Sequence, residues 1–145
     1  MKLWCHENPF SNINYNEKDT VKTPCLFSFW SIYHFLTGVF LYCFLAYYFK
    51  KISKTNIILI VLLIHSIYEI KDMLYYFGLV EGNHWSNNSP LNTFGDTICC
   101  LVGSLLIMKL FKNIDRFVLK LISVFYFIFT IFFLVNALYN KLQHV

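Results

Sequence analysis

Four long apolar runs fill most of the chain, separated by short polar stretches. Phe27 to Phe49 is the first, followed by Asn56 to Leu79, Thr93 to Phe111 and Asp115 to Tyr139. A helix needs about 20 residues to cross the hydrocarbon core of a bilayer, and each run meets or nearly meets that length. Trp30 and Tyr33 stand near one end of the first run and Tyr47-Tyr48 near the other, as interfacial aromatic belts require. Lys50, Lys51 and Lys54 close it. Between the second and third runs, residues 81–92 carry the turn signals Gly82-Asn83 and Ser89-Pro90. Residues 1–26 are polar and mixed, interrupted by Asn8-Pro9 and Pro24, and read as a partly disordered or interfacial segment ahead of a domain spanning 27–145. The pattern predicts an all-α fold, an integral membrane bundle of four transmembrane helices with short loops and up-down connectivity.

The second run breaks the apolar rule in its middle. Eight apolar residues, Ile57 to Ile64, lead into His65-Ser66-Ile67-Tyr68-Glu69-Ile70-Lys71-Asp72. A carboxylate at the bilayer centre costs about 2.5–3.5 kcal/mol on insertion scales, so this helix needs neighbours that shelter its charges. At about 100° per residue, His65, Glu69, Asp72 and Tyr76 share a strip roughly 60° wide. The first run places Ser31, His34, Gly38 and Tyr42 on one face, and the third does the same with Asn92, Asp96, Cys99 and Gly103. The fourth has Ser123, Thr130 and Asn136 on no common face, which marks it for packing and lipid contact. His34 and Asp96 lie near the starts of their spans, and Glu69 and Asp72 lie toward the end of theirs. Up-down connectivity therefore gathers all four on one side of the bilayer. Gly38, Gly103 and Ser104 are the small residues that let membrane helices approach closely.

Composition supports the membrane reading. Charged residues make up only 14% of the chain and apolar residues 57%, against roughly 25% charged in an ordinary soluble domain. No basic cluster with interleaved aromatics sits in a soluble segment, which excludes a nucleic-acid partner. The formal charge of +4 comes from lysines at run ends and connections. Lys50, Lys51, Lys54, Lys109, Lys112, Arg116 and Lys120 fall on one side of the bundle, and Lys2, Lys18, Lys22 and Lys141 on the other. The basic loops are therefore predicted to be cytoplasmic, with both termini and loop 81–92 non-cytoplasmic. Cys43, Cys99 and Cys100 sit in apolar runs as small packing residues, whereas Cys5 and Cys25 can pair if their segment faces an oxidising compartment.

The chemistry on offer is one site of histidine and carboxylates. His34, Glu69 and Asp96 are the candidate acid–base or ligand-binding set, with Ser31, Asp72, Asn92 and Gly103 supporting them. Four residues, His34, His65, Glu69 and Asp96, are candidate ligands for a divalent cation, and a lipid or glycolipid headgroup is the candidate organic ligand. Other readings stay open. The same polar residues can simply lock helices together, Asp96 can be the N-cap of the third span, and His65 can be a neutral packing histidine. A small ion- or proton-coupled transporter is the third function class, one that requires dimerisation to build a pathway.

The order of these motifs resembles the VanZ-like membrane proteins and a related group of small four-span bacterial proteins. The matching pieces are Ser31-x-x-His34, Tyr68-Glu69-Ile70-Lys71-Asp72, and Asn92-Thr93-Phe94-Gly95-Asp96 with Gly103 seven residues beyond Asp96. Cys100 stands where an Asn is common in the third motif, and the basic-acidic pair usual before the histidine is missing. The resemblance implies a compact four-helix membrane bundle, association with envelope glycolipids and a link to resistance against cell-wall antibiotics.

Overall fold

The computed structural model describes residues 2–4, 25–77, 79 and 89–142. Four helices carry the fold: α1 (Phe29–Tyr48), α2 (Lys54–Tyr76), α3 (Pro90–Leu110) and α4 (Arg116–Leu142). They are joined by a short ribbon that the all-α expectation lacks. Strands β1 (Lys2–Trp4) and β2 (Cys25–Phe27) pair in parallel, Lys2 opposite Cys25 and Trp4 opposite Phe27. Three-residue strands are too short for any periodicity to flag, and the two halves lie far apart in the chain. The pairing of Cys5 with Cys25 lies outside the described residues, as does most of the 81–92 loop.

Local chemistry fixes where each helix begins. Ser28 precedes α1, and its backbone N–H donates to Ser31 Oγ at 2.9 Å. Ser53 Oγ accepts the Asn56 N–H at 3.2 Å ahead of α2, and Asp115 Oδ1 accepts the Val118 N–H at 2.8 Å ahead of α4. Ser89-Pro90, a turn signal in the sequence, is the start of α3. Ser89 Oγ accepts from Asn92 N–H at 3.3 Å and proline takes the first helical position, where its missing N–H costs nothing. The helix thus starts ahead of the expected Thr93, and Asp96 lies well inside it rather than at its N-cap. With a rise of about 1.5 Å per residue, Asp96 is about 9 Å into α3 and His34 about 8 Å into α1, which sets them at one level.

Helices α1 and α3 form the centre, with α2 against both and α4 against α1. The contact between α1 and α3 is backbone to backbone. A Cβ at Gly38 would collide with the Cys100 carbonyl, and one at Gly103 would collide with the Phe35 carbonyl. Ser104 Oγ donates across the same seam to the Gly38 carbonyl at 3.1 Å. On the far side of α1, Tyr126 of α4 stacks on Phe40 with centroids 4.5 Å apart. Its hydroxyl lies 3.0 Å from the Tyr33 hydroxyl and 3.3 Å from Thr37 Oγ1, and Thr130 Oγ1 stands 3.4 Å from Tyr33. Tyr126→Phe keeps the stack and removes the hydrogen bonds. It should cost about 0.6–1.5 kcal/mol, the usual worth of such bonds between membrane helices. Tyr126→Ala should cost clearly more, and thermal unfolding of both variants in detergent measures the difference.

Among the described residues, three helices are long and apolar enough to cross a membrane, over Trp30–Tyr48, Pro90–Leu110 and Arg116–Val135. The outer surface of α4 is a continuous apolar face, with Phe117, Leu121, Val124, Phe125, Ile128 and Ile131 all exposed. So much exposed hydrocarbon fits contact with lipid and not with water. Helix α2 has 23 residues but stands outside this set. The same four residues that interrupt its sequence, His65, Glu69, Lys71 and Asp72, lower its apolar character.

Candidate functional site

The buried faces of three helices turn polar at the same height. Among the described side chains of α2, the buried ones are Ile57, Val61, His65 and Glu69, one per turn. On α1 they are Ser31, His34, Gly38, Tyr42 and Cys43, and on α3 they are Asn92, Gly95, Asp96, Cys100, Gly103, Ser104 and Ile107. In each helix, apolar or small residues fill one half of the face and hydrogen-bonding residues the other. His34 is 6% exposed, His65 2%, Glu69 3% and Asp96 3%, so the cluster is withdrawn from both solvent and lipid.

Three side-chain atoms face one another at its centre. His34 Nδ1 is 3.0 Å from His65 Nε2, and Glu69 Oε1 is 3.4 Å from each of these nitrogens. The two imidazole rings meet edge to face, with centroids 4.9 Å apart. The other nitrogen of His34, Nε2, points to Asp96 Oδ2 at 3.6 Å. That separation is beyond a hydrogen bond but within reach of an orienting charge. Asp96 in turn accepts through Oδ1 from Ser31 Oγ, which takes the Ser28 N–H. The chain Ser28–Ser31–Asp96–His34 thus fixes the imidazole plane from behind. A proton on Nε2, facing the carboxylate, leaves the Nδ1 lone pair aimed at His65 and Glu69.

The spacing of the three atoms tests what the cluster can hold. Ligands placed about 2.0–2.1 Å from a tetrahedral zinc ion stand roughly 3.3–3.4 Å from one another. The observed edges of 3.0, 3.4 and 3.4 Å match that triangle closely. Two imidazole nitrogens and one carboxylate oxygen are also the donors that suit a first-row divalent ion. One buried nitrogen, His65 Nδ1, has no hydrogen-bond partner among the described residues.

The sequence-predicted residues divide into those at the centre and those around it. His34, His65 and Glu69 form the triangle. Asp96 and Ser31 stand behind His34. Asn92 is fully buried yet serves another purpose, since its Nδ2 donates to the Leu26 carbonyl at 3.3 Å and ties α3 to β2. Gly103 acts at the α1–α3 seam below the site. The side chain of Asp72 lies outside the described residues. On α3 the buried cysteine is Cys100 and the half-buried one Cys99, because the packed face turns toward Ser104 and Ile107. Sequence reasoning missed the direct contact of His65 with His34, and it missed Tyr68, whose ring lies 5.9 Å from His34. The one-turn spacing of His65 and Glu69 was the signal available for the former. Comparisons with protein-family models, with curated proteins and with solved structures give no match for this chain.

Proposed function

We propose that this chain is a four-span membrane protein that holds one divalent cation, zinc foremost, between His34 Nδ1, His65 Nε2 and Glu69 Oε1. The observation that carries the proposal is the buried triangle with edges of 3.0, 3.4 and 3.4 Å. Three protein ligands leave a coordination position open, the arrangement of sites that bind or activate a ligand oxygen. Water or an oxygen of a lipid headgroup is the class of ligand that fits there. Asp96 and Ser31 would be the positioning residues, through the imidazole of His34.

Helix α2 is the fourth span in this proposal. Its His65 and Glu69 are buried, while Leu59, Leu63, Ile67, Ile70 and Leu74 are exposed. Lys71, on the outside, lies 4.2 Å over the Tyr68 ring, a position from which a lysine reaches the interface. The lysine distribution orients the site toward the non-cytoplasmic leaflet. Kinship with the VanZ-like proteins belongs to the same proposal and rests on the three motifs alone.

Metal analysis of the purified protein after zinc loading and dialysis tests it. One ion per chain is expected, with none in Glu69→Gln or His65→Ala. Wild-type protein that retains no zinc, manganese or iron overturns the proposal. The helix-locking reading, favoured by the Ser31–Asp96–His34 chain across α1 and α3, then takes its place.

A further inference from the structure

At the opposite end of the bundle, the end of α1, the start of α2 and the connection between α3 and α4 line an open cavity of about 270 Å³. Its walls include Lys50, Lys54 and Lys112, and no carboxylate lines it among the described residues. Its floor includes Tyr42 and Ile57, 1% and 2% exposed. The volume lies just below the range of small-molecule pockets, which suits a headgroup fragment rather than an entire lipid.

The charges around it are gathered but not neutralised. Lys54 Nζ donates to the Lys112 carbonyl at 3.1 Å, and Lys50 Nζ lies 5.7 Å from the centre of the Tyr47 ring. Both contacts tether an ammonium with a neutral partner. Among the described residues, none of the three lysines forms an ion pair. The nearby Asp115 is engaged as the cap of α4. Like charges held around one hollow repel, and an anion between them converts that repulsion into attraction. The Tyr42 hydroxyl adds a second signal, since this buried side chain lines the cavity and makes no hydrogen bond among the described residues. A phenol can donate to a phosphate oxygen.

We propose that this lysine-lined cavity is a phosphate site that takes the headgroup of an anionic lipid. Basic pockets between spans on the side of the basic loops are where anionic headgroups bind. The inference goes beyond the cation site and does not depend on it, for the two lie in opposite halves of the bundle.

Native mass spectrometry of the full chain in neutral detergent provides the test, with phosphatidylglycerol, phosphatidylcholine and inorganic phosphate as probes. Phosphatidylglycerol should be retained over phosphatidylcholine. Lys50→Gln/Lys54→Gln/Lys112→Gln should weaken that retention by about 100-fold, at roughly fivefold per lysine. Each single Lys→Gln change should give the fivefold step, which keeps the test open if the triple variant fails to fold. Lys51→Gln/Lys120→Gln, which removes two charges that do not line the cavity, should bind as wild type does. Displacement of the lipid by millimolar inorganic phosphate would identify free phosphate as an occupant of the same site. Equal retention of both lipids, or equal loss in the Lys51/Lys120 control, would overturn the proposal.

Discussion

Gly38→Val should leave little folded protein in detergent, and Gly103→Val should do the same. The two glycines face each other's helices across the α1–α3 seam. A Cβ on either lands on a backbone carbonyl, of Cys100 in one case and Phe35 in the other, and not on the movable end of a side chain. A side-chain clash relaxes by a rotamer change, but a backbone clash relaxes only if the helices part. Overpacking ordinarily costs about 1–3 kcal/mol, and rigid backbone partners put these two sites at or above the top of that range. Alanine should already lower the thermal midpoint clearly, and valine should remove the cooperative transition. Parting the helices also breaks the Ser104 bond to the Gly38 carbonyl and draws Asp96 away from His34. Val102→Leu, on an outward position 48% exposed beside Gly103, should change stability by less than about 0.5 kcal/mol. Size-exclusion profiles and thermal scans of the five variants decide the matter. A well-folded Gly38→Val protein would mean that α1 and α3 do not meet backbone to backbone at this seam.

The seam was legible because membrane packing needs small residues at one spacing, and Gly38, Gly103 and Ser104 are rare interruptions in apolar runs. The polar stripes were legible for the same reason: a charge in hydrocarbon must turn inward, so period and polarity alone point His34, Glu69 and Asp96 at each other. What period cannot give is rotation within a few tens of degrees. Cys99 and Cys100 are equally apolar neighbours, and only the packed helix shows which of them is buried. Tyr126 carried no signal either, since a tyrosine among phenylalanines reads as one more aromatic until Tyr33 and Thr37 stand opposite it. The ribbon of β1 and β2 and the lysine cavity share a different obscurity. Each is assembled from segments distant in sequence and exists only once the helices have brought them together.

If His34, His65 and Glu69 hold a cation as proposed, removing it should lower the thermal midpoint of the wild-type protein by roughly 10 °C or more. A ligand present at about 1,000 times its dissociation constant adds about 4 kcal/mol to the folded state, and each kcal/mol moves a domain of this size by a few degrees. A chelator should therefore shift wild type and leave Glu69→Gln where it is, because that variant has no ion to lose. Returned zinc should restore the shift in wild type alone. Asp96→Asn separates positioning from ligation. It keeps an oxygen for Ser31 and the shape of the side chain, but it withdraws the charge that faces His34 Nε2. Loss of an outer-shell carboxylate of this kind costs about 10–100-fold in metal affinity, whereas loss of a ligand costs more. Asp96→Asn should therefore still bind zinc, more weakly, with a chelator-dependent midpoint at high zinc. If the Ser31–Asp96–His34 chain served only to lock α1 against α3, the outcome reverses: Asp96→Asn would be destabilised whether or not zinc is present, and the chelator would move neither protein. The imidazole of His34 belongs to both arrangements, so His34→Ala distinguishes nothing alone. The carboxylates on either side of it do, Glu69 from the front and Asp96 from behind.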